Sequence, residues 1–137
     1  MIKRIAHVGI ATRSIAVTAE FYKSLGLDVD AIEIVEDQKV KVAIMGVGDS
    51  AIELMEPTED DSPVQRSIDA RGEGIHHITF EVEDLEKQLG ILKERNIKLI
   101  DDKPRPGTAG NMIAFVHPDS TGGVLVELSQ PLSGESS

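Results

Sequence analysis

Apolar and polar residues alternate along the first stretch of the chain, shift to a helical period, and return to alternation, and this succession runs through the sequence twice. Residues 3–12 alternate and are β-branched enough for a strand. Ser14 is placed to cap a helix through Ala16, Phe21 and Leu25, with Gly26 as its left-handed terminator. Strand patterns follow over 28–35, 39–47 and 51–56, and Glu56-Pro57-Thr58 closes the unit. Asp61-Ser62-Pro63 opens a linking helix over 64–71 that Gly72 ends. The plan then repeats. A strand covers 75–82, Asp84 caps a helix through Leu85, Leu89 and Leu92, and Asn96 stands where Gly26 stood. Strands follow over 98–100, 111–117 and 123–128, separated by a basic, turn-rich loop over 102–110. The pattern predicts βαβββ twice, module one over about 3–57, a linker helix over about 61–72 and module two over about 74–131, in one domain spanning 1–137. Residues 133–137 read as a flexible tail.

The repetition reaches individual residues. Ala6-His7-Val8-Gly9-Ile10-Ala11 returns as His76-His77-Ile78-Thr79-Phe80-Glu81 at an offset of 70, and Ile52-Glu53-Leu54-Met55-Glu56-Pro57 returns as Val126-Glu127-Leu128-Ser129-Gln130-Pro131 at an offset of 74. Side chains alternate between the faces of a strand. Ala6, Val8 and Ile10 therefore share the face that packs on the helix, and His7 shares the other with Gly9 and Ala11. In the matching strand the core side takes His76, Ile78, Phe80 and Val82, leaving His77 with Thr79 and Glu81. Parity thus pairs His7 with His77, not with His76. By the same rule Glu53 and Glu127 turn away from their apolar neighbours. A lone strand histidine is more often packed or half-exposed than a ligand, and a lone strand glutamate usually faces water. Two of each, matched in repeat position and parity, reverse that preference. Glutamates inside apolar strands require a counter-charge, and a divalent cation shared with two neutral imidazoles supplies one. His76 is expected to be packed or hydrogen-bonded, and His117, before Pro118, to sit in a turn without chemistry.

Composition narrows the function more than the fold. A chain of 137 residues with 40% hydrophobic and 28% charged residues is an ordinary globular domain with room for a core. No apolar run approaches membrane-spanning length, and the start leads into a strand without a signal-peptide pattern, so no membrane partner is expected. The chain has no cysteine, which excludes thiolate ligands and disulfides and fits a cytoplasmic location. A net charge of −10 argues against nucleic-acid binding. Aromatic residues make up only 3%, which leaves little material for stacking a flat ligand.

These strand motifs resemble the vicinal oxygen chelate superfamily, over about residues 3–131. Several further stretches are similar to its methylmalonyl-CoA epimerase family: Asp61-Ser62-Pro63-Val64, Gly72-Glu73-Gly74-Ile75-His76-His77-Ile78, Pro104-Arg105-Pro106-Gly107, and the run from His117-Pro118 through Gly122-Gly123 to Glu127-Leu128. The resemblance implies an α+β, glyoxalase-like fold: two tandem βαβββ modules forming a cupped mixed sheet with helices on its outer face. It implies one divalent metal ion held by His7, Glu53, His77 and Glu127, with cobalt, nickel, manganese, zinc and magnesium all compatible with such donors. The implied substrate is an acyl-CoA whose α-carbon is inverted through a metal-stabilised enolate. Glu127 is then the first acid–base group, and Glu53 or a residue from another segment the second, because the glutamate that some family members carry in the third strand is absent from Lys41-Val42-Ala43. Lys103, Arg105 and Arg66 are candidate contacts for the CoA phosphates, and a homodimer is the implied assembly. A glyoxalase I-type lactoylglutathione lyase uses the same ligand set and is the rival enzyme. A metal-free ligand-binding protein of the same fold is the rival of another class, disfavoured by the quartet and the few aromatics. An extradiol dioxygenase triad would leave Glu53 unexplained.

Overall fold

A computed structural model of the chain describes residues 1–107 and 110–132. The expected tail over 133–137 lies outside the described residues. The elements run β1 (Ile2–Ala11), α1 (Ile15–Ser24), β2 (Ala31–Val35), β3 (Val40–Val47), β4 (Ser50–Pro57), α2 (Pro63–Arg71), β5 (Gly74–Val82), α3 (Leu85–Glu94), β6 (Arg105–Pro106), β7 (Met112–Val116) and β8 (Val126–Gln130). Hydrogen-bonded neighbours follow the order β2-β3-β4-β1-β5-β8-β7-β6. The α+β class and the doubled βαβββ plan are the ones the patterning predicts. Two compact units emerge, His7–His76 and Met1–Ala6 with His77–Ser137, so β1 gives its second half to one and its first half to the other.

In the unit His7–His76, β1 pairs in parallel with β4, and β3 lies antiparallel to both β4 and β2. Helix α1 buries Ile15 and Ala19 against Ala43, Met45 and Leu54, with Ile10 and Ile52 completing the cluster. Helix α2 buries Val64 and Ile68 against Ala11, Val40 and Val42, residues of the opposite parity. Both sheet faces of this unit therefore carry a helix, an arrangement periodicity alone does not fix.

The second unit repeats the scheme. β5 pairs in parallel with β8, and β7 is antiparallel to β8 and to β6. Leu85 and Leu89 of α3 pack on Val82, Ala114, Val116 and Leu128. Each such fully buried leucine contributes about 1.5–3 kcal/mol relative to exposure.

The helix starts show the duplication at atomic level. The Ser14 side chain accepts from the Val17 amide at 3.2 Å, and that of Asp84 from the Lys87 amide at 3.1 Å. A second carbonyl-type oxygen caps each helix from the last strand of its module. Glu56 Oε1 accepts from the Ile15 amide at 2.7 Å, and Gln130 Oε1 from the Leu85 amide at 2.8 Å. Gly26 and Asn96, at equivalent positions after the helices, both take positive φ, +95° and +58°.

Three strand boundaries differ from the sequence pattern. The strand expected over 98–100 is reduced to an isolated bridge between Leu99 and Val116. The edge position beside β7 goes instead to Arg105–Pro106, inside the expected loop; a proline suits an edge because its missing N–H breaks no interior ladder. β8 starts at Val126, not at 123, with Gly122 and Gly123 at positive φ, +76° and +94°, ahead of it. β2 starts at Ala31, not at 28, with the Asp30 carboxylate accepting from the Gly46 amide at the strand's entry.

Candidate metal centre

Two parallel strand pairs carry the four candidate ligands in matching register. Gly9 stands opposite Glu53 across β1 and β4, and Thr79 stands opposite Glu127 across β5 and β8. Each histidine lies two residues before the position that faces the glutamate, so strand period places His and Glu on one face in both pairs. The side chains meet accordingly. His7 Nδ1 lies 3.2 Å from Glu53 Oε2, and His77 Nε2 lies 3.5 Å from Glu127 Oε1. The His77–Glu127 pair is the drier, with side-chain exposures of 8% and 13% against 19% and 23% for His7 and Glu53.

Glu127 sits in the most elaborate surroundings. Burial pushes its carboxyl above the ordinary value; the Thr79 hydroxyl and the Arg105 charge pull it back, and Asp101 pushes with the burial. Thr79 Oγ1 donates to Glu127 Oε1 at 2.6 Å. Phe115 of β7 stands directly across from Glu127. The Arg105 guanidinium lies over the Phe115 ring, 5.4 Å from its centroid, and Arg105 Nε donates to Asp101 Oδ1 at 3.0 Å. Asp101 Oδ2 accepts from the Phe115 amide at 2.9 Å, which ties the arginine to the strand that faces Glu127.

The donor set fits a divalent ion: imidazole nitrogen and carboxylate oxygen are the ligands first-row cations take. Among the described residues, His7, His77 and Glu127 are the one group of three or more such side chains able to hold a metal ion. Glu53 stands outside that group of three and meets His7 instead. His76, on the other parity, is half-buried, and burial and the Arg71 charge lower its pKa. His117 Nδ1 accepts from the Asp119 amide and so caps a turn.

Sequence reasoning missed the Thr79 hydroxyl as a partner of Glu127, although parity had put Thr79 on the right face. It also missed the Asp101–Arg105–Phe115 assembly, which depends on where a loop returns to the sheet. Glu81 shares the face of His77 and is fully buried, its charge met by Lys3 Nζ at 3.3 Å and Arg4 Nη2 at 3.1 Å. Val42 is buried under α2, so β3 contributes an apolar side chain at the place where a second carboxylate was sought. Of the three cations considered for CoA, Arg66 spends Nη1 on the Asp61 carbonyl, Lys103 is exposed, and Arg105 is anchored over Phe115 by Asp101.

Comparison with known proteins identifies relatives along nearly the whole chain. A profile of the Glyoxalase/Bleomycin resistance protein/Dioxygenase superfamily matches residues 6–115. An uncharacterized protein of Bacillus subtilis is 45% identical over 129 residues, spanning 93% of this chain and 92% of the relative. The ethylmalonyl-CoA/methylmalonyl-CoA epimerase of Cereibacter sphaeroides is 35% identical, spanning 95% of this chain and 99% of its own. The solved structure of a methylmalonyl-CoA epimerase in complex with methylmalonyl-CoA and ammonium aligns at a TM-score of 0.86, with 35% identity and 100% of both chains covered.

Proposed function

This chain belongs to the glyoxalase/bleomycin resistance/dioxygenase superfamily and is an enzyme of the methylmalonyl-CoA epimerase type, and we propose that it interconverts the two configurations at the α-carbon of methylmalonyl-CoA. The observation that carries this reading is the repeated register, which places one His–Glu pair on each of two parallel strand pairs. In the proposal His7, Glu53, His77 and Glu127 hold one divalent cation among cobalt, nickel, manganese, zinc and magnesium. A bound cation supplies Lewis-acid stabilisation of the negative charge that develops on the thioester oxygen when the α-proton leaves.

The protein's own groups move the proton. Glu127, whose carboxyl burial pushes above its ordinary value, is the stronger base for it and takes the α-proton in this reading. The Thr79 hydroxyl fixes Oε1 and thereby the direction in which the carboxylate presents itself. Inversion requires a proton delivered to the opposite side of the carbon, and Glu53, from the other His–Glu pair, is the second carrier in this reading. Apolar Ile32 and Ile34 are exposed on edge strand β2, which supports a homodimer as the working form. A cytoplasmic location belongs to the same proposal and rests on likeness to the bacterial epimerase.

Deuterium uptake from solvent into the α-carbon of methylmalonyl-CoA tests the reading. Exchange is expected with the purified protein, lost on chelation and restored by added cation. No exchange, or exchange indifferent to the chelator, overturns it. A glutathione hemithioacetal assayed in parallel is expected to be inert.

A further inference from the structure

Arg105 is held as surface arginines seldom are. Its strand β6 pairs Arg105 with Ile113, and the side chain turns along β7 to lie over Phe115. Asp101 accepts from Nε on one side while its own backbone amide donates to the Phe115 carbonyl at 3.2 Å. Gly107 is held as well: its amide donates to the Asn111 carbonyl at 2.8 Å, and a Cβ there would come within 2.7 Å of Ile113 Cγ2. These contacts occupy Nε and one face of the guanidinium plane. The Arg105 side chain as a whole remains 46% exposed. It lies on the sheet face of Phe115 and Glu127, because the residues of opposite parity, Met112, Ala114 and Val116, pack toward α3.

A guanidinium fixed through Nε, with its Nη donors presented as a planar fork, matches the two oxygens of a carboxylate or phosphate. Pre-organisation matters because an arginine's rotamer freedom is then lost before the ligand arrives. Four other basic residues are engaged by carboxylates: Lys3 and Arg4 by Glu81, Lys98 by Asp119, Lys39 by Asp61. In a chain of net charge −10, an anionic substrate requires a local cation of this kind.

We propose that Arg105 grips an oxyanion of the acyl-CoA substrate, its free carboxylate or a CoA phosphate, and thereby sets the preference for anionic thioesters. The proposal rests on the acyl-CoA reading of the site. Calorimetric titration of methylmalonyl-CoA into wild type, Arg105→Gln and Arg105→Lys tests it, with melting temperature as the folding control. Arg105→Gln is expected to weaken binding roughly 10- to 100-fold, the range for a lost hydrogen bond to a charged group, and Arg105→Lys to recover part of the loss. Repeating the titration with methylmalonyl-pantetheine, which lacks the nucleotide phosphates, distinguishes the two anions. A loss that persists assigns the carboxylate; a loss that disappears assigns a phosphate. Dissociation constants within twofold of wild type for both thioesters, in a folded Arg105→Gln protein, overturn the proposal. Absence of binding by wild type overturns the acyl-CoA reading itself. If Arg105→Gln does not fold, the Arg105→Lys protein decides, since loss of the planar fork alone is expected to weaken binding at least severalfold.

Discussion

In the proposed mechanism Thr79 orients Glu127. Its hydroxyl donates at 2.6 Å to a carboxylate that burial would otherwise leave poorly solvated. Thr79→Val keeps the volume and β-branching and removes only the donor. Deuterium exchange at the substrate α-carbon is expected to slow about 10-fold or more, the scale of one hydrogen bond to a charged group, while Thr79→Ser stays near wild type. Equal rates in the valine variant would remove Thr79 from the mechanism. Glu127 itself makes a prediction about stability. Because burial raises its folded pKa above the ordinary 4.5, the folded protein binds that proton more tightly than the unfolded chain. The sign then follows: with metal chelated, stability is greatest when the group is protonated and falls as pH rises from the ordinary carboxylate range through the folded pKa. Glu127→Gln is expected to flatten that part of the melting-temperature profile. A variant profile parallel to wild type would show that burial of this charge does not matter. At this scale the sequence was informative where strand parity applies. It chose His77 over His76 and put Thr79 beside it, whereas the partners of Arg105 were hidden because they come from a loop with no period.

Helices α1 and α3 illustrate what the repeat preserves and what it replaces. Both begin with a short polar N-cap, and both take a second acceptor from the strand that closes their module. Glu56 and Gln130 differ in charge, yet each uses Oε1 on the first helical amide, so the duplication conserved an acceptor and not a charge. Glu56→Ala and Gln130→Ala are each expected to cost about 1 kcal/mol, within the usual range for a lost cap, and to lower the melting temperature by roughly 2–8 °C. Thermal unfolding followed by circular dichroism checks this; an unchanged midpoint in both variants would mean that water replaces the cap. Element types were legible because apolar periodicity is set locally, and the caps fixed the helix starts at Ser14 and Asp84. Boundaries failed where tertiary context decides. Leu99 is apolar enough for a strand, but the Arg105–Pro106 segment takes the edge of β7 and leaves it a single bridge. The destination of α2 was equally hidden, since an amphipathic helix advertises one apolar face without saying which sheet face receives it.

For the molecule as a whole, duplication poses a question of cooperativity. Each unit carries a complete His–Glu pair, and either pair by itself offers an ion only two side chains. Our proposal of one shared ion makes a sharper claim than two weak sites would. A ligand that binds only the folded state raises stability by RT ln(1 + [L]/Kd), so saturating cation at about 100 times Kd adds about 2.7 kcal/mol. That gain is expected to appear as one upward shift of the melting temperature with a stoichiometry of one ion per chain. With a single shared ion, His7→Ala and His77→Ala must each remove nearly the whole shift, because affinity falls when either unit withdraws a ligand. With two independent sites, each variant would retain about half of it. Titrating cation against the melting temperature of wild type and both variants separates the cases, and metal content after dialysis gives the stoichiometry independently. A half-shift in each variant would overturn the shared ion while leaving the fold and the superfamily membership intact. A full loss in both would join the repeat seen in the sequence to the chemistry proposed for it, since two copies of a module are then the smallest unit that holds the ion.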